Sequence, residues 1–174
     1  MLSPAPRPAG QGLLECLAVL AIVAVLASLV LPPAGEMLNS LRADSLRMTL
    51  HTSLVRARNE AVTRRELIGV CASVDGLQCA SDWNQGWMMY RSGARRGPPP
   101  SASAVLVHHP GSSTVSLSAH SSTGRPLLFF QADGRSPGAN VTLRICHRGR
   151  LHGEVVVNNG GRARSRRVLD PIPC

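Results

Sequence analysis

Apolar residues run almost unbroken from Leu13 to Leu31, a stretch of 19 positions. As a helix that stretch would be about 28 Å long, close to the hydrocarbon thickness of a bilayer. Pro32-Pro33 is expected to end or kink it. From Glu36 to about Glu66 the pattern changes. Leu46, Leu50, Leu54, Ala57 and Ala61 recur at intervals of three and four, while Arg42, Arg56 and Thr63 fall off that stripe. One apolar stripe at helical spacing predicts an amphipathic helix that lays one face on a core. Short apolar runs between turn signals then predict strands over Leu67–Cys71, Gly86–Tyr90, Ala104–His108, Val115–Ala119, Leu127–Gln131, Val141–Cys146, Glu154–Asn158 and Arg164–Leu169. Asp75-Gly76, Asp133-Gly134 and Asn158-Asn159-Gly160-Gly161 supply turns, and Arg91 to Ser103, with Pro98-Pro99-Pro100, reads as a flexible loop. The predicted fold is α+β: a long N-terminal helix, membrane-spanning in its first half and amphipathic in its second, packed on an antiparallel β-sheet domain. The segments are residues 11–33, 34–66 and 67–174, after a Pro-rich start over residues 1–10.

Composition narrows the picture. Aromatic residues make up 3% of the chain, so the core must come from Val, Leu, Ile and Ala, which suits a small sheet on a helix better than a deep enzyme pocket. The net charge is +9, and all 19 basic residues are arginine. Codon bias in a GC-rich genome is one reading of arginine over lysine, and it would not explain the excess itself. An exported domain so charged implies an anionic partner: nucleic acid, a membrane surface or an acidic polymer.

Of five cysteines, Cys16 lies in the apolar run, where a thiol behaves as a small hydrophobe. Cys71, Cys79, Cys146 and Cys174 form an even set that reads as two disulfides with three possible pairings. Zinc is the competing reading, but there is no Cys-x-x-Cys and no histidine at a matching interval. No cofactor is implied.

The catalytic inventory is thin. His51, His108, His109, His120, His147 and His152 are scattered and read as surface or strand-end residues. No Ser/His/Asp set, paired carboxylates or phosphate loop emerges, so the chain is not expected to be an enzyme.

Two features stand out. Glu15 sits near the start of the apolar helix, where a carboxylate is costly unless neutralised or paired. A secretory signal would have a shorter apolar region and a small-x-small site after it. A lipoprotein signal would have small residues, not Glu15, before Cys16. At the other end, Arg162, Arg164, Arg166 and Arg167 follow Gly160-Gly161, with Arg144, Arg148 and Arg150 nearby against only Glu154 and Asp170. Alternation on a strand would put Arg162, Arg164 and Arg166 on one face, about 6.5–7 Å apart, a spacing compatible with successive phosphates. A solvated edge strand that resists aggregation is the other reading.

Gly10, Gln11 and Glu15 before an apolar helix resemble the type IV prepilin signal. That resemblance implies a leader over residues 1–10, cleavage by a prepilin peptidase between Gly10 and Gln11, N-methylation, and pairing of Glu15 with a neighbouring subunit's N-terminal amine. It implies a single-pass inner-membrane protein with a periplasmic C-terminal domain, extracellular once assembled with other pilins or pseudopilins in a fibre. Gln11 departs from the usual Phe. Ala57-Arg58-Asn59-Glu60-Ala61-Val62, then Cys71, Asp75-Gly76, Cys79, Asp82-Trp83, Gln85-Gly86-Trp87, and later Phe130-x-x-Asp133-Gly134 and Cys146, are similar in order to the FimT/GspH family of minor pilins and pseudopilins. Within that order Cys71 and Cys79 flank a turn they could staple, which leaves Cys146 for Cys174. Trp83 and Trp87 read as packing residues near the staple, with base stacking as the alternative for one of them. Gly161-Arg162-Ala163-Arg164 is similar to the Gly-Arg-x-Arg motif of FimT-type minor pilins that bind DNA in natural transformation. The resemblance implies DNA contact through Gly161, Arg162 and Arg164, to which charge adds Arg166 and Arg167. A type II secretion pseudopilin without DNA binding is the alternative.

Overall fold

The structure is a computed structural model that describes residues 12–93, 96–121, 127–138, 140–170 and 172–174, with the side chains of residues 29–34 outside that description. The chain divides into two compact units, Met1–Leu38 and Asn39–Cys174.

A single helix, α1, runs Leu13–Arg64. Pro32-Pro33, expected to end or kink it, do not end it: both lie within the helix, where a proline's fixed φ fits the helical backbone but leaves two hydrogen-bond donors missing. In the first unit every described apolar side chain from Leu13 to Leu26 is exposed. A helix apolar on all sides belongs in apolar surroundings. Among the described residues no helix carries a run long and apolar enough to cross a membrane; residues 29–31 of the expected span fall outside the described side chains.

In the second unit the expected stripe meets the core: Leu50, Leu54, Ala57 and Ala61 are fully buried, each leucine worth about 2 kcal/mol in apolar transfer. The helix ends with Arg65 at φ 56° and the Glu66 N–H bonded to the Ala61 carbonyl. That is a Schellman cap with arginine where glycine is usual.

All eight expected strands form: β1 Ile68–Ala72, β2 Gly86–Arg91, β3 Val105–Pro110, β4 Ser116–Ser121, β5 Leu128–Phe130, β6 Val141–His147, β7 Arg150–Val157 and β8 Ala163–Arg167. They make two antiparallel four-stranded sheets rather than one, in the orders β3-β2-β1-β5 and β4-β6-β7-β8. The helix stripe shares one core with Ile68, Val70 and Phe130 of the first sheet and Leu143, Ile145 and Val155 of the second. Pro110 can end β3 because β3 is an edge strand with no strand to pair on its outer side. β7 begins four residues earlier than expected. Arg148 and Gly149, at φ 50° and 73°, form a two-residue turn of the primed kind, and the β6–β7 ladder starts directly from it. The register shifts between Ile145 and Cys146, leaving His152 as an extra residue in β7.

Disulfides join Cys71 to Cys79 and Cys146 to Cys174, with Cα separations of 5.7 and 6.4 Å. The first staples the turn after β1. The second holds the tail, whose Ile172 carbonyl and Cys174 N–H bond to Leu151 and Gly149 at the start of β7. Trp83 and Trp87 are both buried, which favours packing over base stacking; Trp87 stacks on His109 at 4.9 Å.

Candidate functional site

β8 is the outer strand of the second sheet, and its two faces do different things. Val155 pairs with Ser165 and Gly153 with Arg167, so Ser165 and Arg167 share the face on which β7 buries its side chains. Helix residues hold that face. Arg47 crosses Gly153, where a Cβ would stand 2.6 Å from its Cδ, and its Nη1 bonds the Ser165 hydroxyl. Arg167 donates to Ser40 Oγ at 3.1 Å and pairs with Asp44 Oδ2 at 3.1 Å.

Asp44 is the hub of this contact. Its Oδ1 also accepts from Arg47 at 3.0 and 3.1 Å, and His152 Nε2 stands 3.2 Å away, turned there by the bulge in β7. Burial works against the Asp44 charge. The contacts with Arg47 and His152 and the charge of Arg167 outweigh it, so the carboxyl sits below its ordinary value. Sequence reading missed this hub and took His152 for a surface residue; the i,i+3 spacing of Asp44 and Arg47 was the one local signal.

The opposite face carries Arg164 and Arg166, cross-strand from Val156 and Glu154. Arg166 Nε donates to Glu154 Oε1 at 2.8 Å. Glu154 is also the register partner of Arg144 on β6, so one carboxylate lies between two guanidinium-bearing positions. Arg162 and Arg164 are exposed, and no ion pair to either exists among the described residues. Of the five residues expected to form the site, Arg162, Arg164 and Arg166 are therefore presented outward, the last one paired. Arg167 is turned to the helix and engaged with Asp44.

Gly161 holds the row in place rather than contributing to it. It is buried at φ 74°, and a Cβ there would overlap the carbonyl oxygen of Gly134. That same oxygen accepts from Arg58 Nε of the helix at 3.0 Å. The Ser136 N–H bonds the Asn159 carbonyl at 3.0 Å, and Asn158 Oδ1 accepts from the Arg162 N–H at 3.0 Å. Three segments far apart in sequence, around Arg58, Gly134 and Gly161, thus meet at one point and fix where Arg162 starts.

The family model described as type II transport protein GspH matches residues 47–168. The chain belongs to the GspH family. No curated protein matches it significantly in sequence. Among solved structures, the GspH-family chain is similar to the type IV minor pilin FimU of Pseudomonas aeruginosa (strain PAO1). One crystal form gives 23% identity and a TM-score of 0.54, over 75% of this chain and 92% of that one. A second form gives 25% identity at the same TM-score, over 74% and 96%. It is also similar to EpsH, a minor pseudopilin of the type II secretion system of Vibrio cholerae. There the identity is 17% and the TM-score 0.53, over 72% and 96% of the two chains. This places the chain in the class of minor pilins and pseudopilins.

The remaining expected positions of this GspH-family chain lie in the first unit. Glu15 is in the first turn of α1 and exposed, its N–H bonded to the Gly12 carbonyl at 2.9 Å. A carboxylate there is also favoured by the partial positive charge of the helix N-terminus. Gly10 and Gln11, the expected cleavage pair, and the leader over residues 1–10 lie outside the described residues.

Proposed function

We propose that this GspH-family protein is a minor type IV pilin that contributes to pilus assembly and binds extracellular DNA through C-terminal arginines in natural transformation. The observation that carries this reading is the exposed, outward-facing pair Arg162 and Arg164 beside a strand whose other face is fastened to the helix. Guanidinium groups so placed bind phosphate oxygens without reading sequence, and the rigid hairpin spares the ordering cost. Arg166 joins them once its pairing with Glu154 gives way to a phosphate.

In the same reading, a prepilin peptidase cuts between Gly10 and Gln11, the new N-terminus is methylated, and Glu15 pairs with a neighbouring subunit's terminal amine. The exposed apolar surface from Leu13 to Leu26 is then covered first by the inner membrane and later by other subunits, with the second unit periplasmic and finally extracellular. A Glu15→Ala protein that assembled normally would count against this part.

A second reading, a minor pseudopilin of a type II secretion system with no DNA binding, is favoured by the description of the matching family model and by the likeness to EpsH. A deletion strain complemented with Arg162→Ala/Arg164→Ala separates the two. The pilin reading expects DNA uptake to fall while the fibre still assembles. A secretion defect in the deletion strain, with DNA uptake intact, supports the pseudopilin instead.

A further inference from the structure

We infer that Arg135, from a loop nearly thirty residues upstream, is a further phosphate-contacting residue of the same surface, and that bound nucleic acid crosses from the β7–β8 hairpin onto the Asp133–Ser136 turn. This rests on the DNA-binding reading above and extends it to a segment that the arginine run does not include.

The placement follows from the backbone. Asp133 Oδ1 accepts from the Arg135 N–H at 2.9 Å, and the Arg135 carbonyl accepts from the Gln131 N–H at 2.8 Å, so the turn is closed on itself. Gly134 at φ 77° gives it the left-handed step that only glycine takes cheaply. The turn is then pressed onto the hairpin: a Cβ on Gly161 would lie 3.3 Å from the Arg135 Cα. The Arg135 and Arg162 backbones are therefore neighbours, one residue apart through Gly161, and both side chains are exposed. Arginine side chains rooted this close both reach a single strand's adjacent phosphates. Behind them Arg58 holds the Gly134 carbonyl and acts as a positioning residue.

The charge balance favours an anion here. The one nearby carboxylate in the turn, Asp133, spends Oδ1 on the turn's own N–H, and no ion pair to Arg135 exists among the described residues. The backbone bonds that shape the turn do not involve the Arg135 side chain, so its removal leaves the turn intact.

The test uses the full chain in non-ionic detergent and a fluorescently labelled random-sequence duplex, titrated by anisotropy between about 50 and 200 mM salt. Wild type, Arg135→Ala, Arg135→Lys and Arg162→Ala/Arg164→Ala are compared. The expected result is a three- to tenfold loss for Arg135→Ala (~), with the log–log salt slope lowered by about one, and a slope kept by Arg135→Lys. If the double variant weakens binding while Arg135→Ala matches wild type in affinity and slope, Arg135 is not a contact and the DNA reading stands without it. If the wild type shows no salt-dependent binding, the DNA reading falls and takes this inference with it.

Discussion

Gly161 rests against the carbonyl oxygen of Gly134 more closely than any side chain would permit. The contact explains why glycine precedes Arg162. It also gives a stability prediction separable from DNA binding. Gly161→Ala forces a Cβ into that carbonyl at φ 74° and should lower unfolding free energy by roughly 2 kcal/mol or more, measured by denaturant melts. Gly160→Ala, whose Cβ would meet only the Asn158 side chain at ordinary distance, should change it by less than about 1 kcal/mol. Equal effects would mean that the approach of the two turns is not what selects glycine.

The Asp44 hub predicts a pH dependence. Its carboxyl is held below its unfolded value, so it contributes stability that is fully present above the unfolded pKa and lost as pH falls through the folded one. The stability gap between wild type and Asp44→Asn should therefore shrink as pH falls below about 4. Denaturant titrations across that range would show it. A gap that widened below about pH 4 would mean that the carboxyl is not held below its unfolded value.

The two disulfides should differ in weight. Cys146–Cys174 spans 28 residues and Cys71–Cys79 spans 8. Chain entropy alone assigns about 3.6 and 2.5 kcal/mol to loops of those sizes. Cys174→Ser should thus lower the denaturation midpoint more than Cys79→Ser. Loss of the first also frees the tail from Gly149 and Leu151, which hydrogen exchange at the start of β7 would register.

Much of this was legible in the chain. The helix stripe at Leu50, Leu54, Ala57 and Ala61 and all eight strands follow from period and turn residues, because each depends on a few neighbouring positions. Alternation likewise put Arg164 and Arg166 on one side of β8; Arg162 lies just before the strand and is exposed. What could not be read is what depends on pairing order. The split into two sheets, the placing of Glu154 between Arg144 and Arg166, and the turn of His152 toward Asp44 are set by register and by one bulge. The meeting of Arg58, Gly134 and Gly161 is likewise non-local, although each glycine announced its own turn. Arg167 was misplaced for a simpler reason: its charge counted toward the run, while its odd position in the strand points it at the helix.

Glu154 offers a way to strengthen the surface rather than break it. It accepts from Arg166 and is cross-strand from Arg144. Glu154→Gln removes the competing carboxylate and should raise DNA affinity by roughly two- to fivefold at low salt, with a salt slope steeper by up to about one. Anisotropy titration reads both quantities. Weaker binding in this variant would mean that Arg166 needs Glu154 to hold its position for the phosphate.

The central claim is that Arg162 and Arg164 hold phosphates. Its most direct test is the salt dependence of duplex binding by the full chain, wild type against Arg162→Ala/Arg164→Ala. Two lost phosphate contacts should lower the log–log slope by about 1.8 and weaken binding at least tenfold at about 50 mM salt. A double variant that binds with unchanged affinity and slope would contradict the claim.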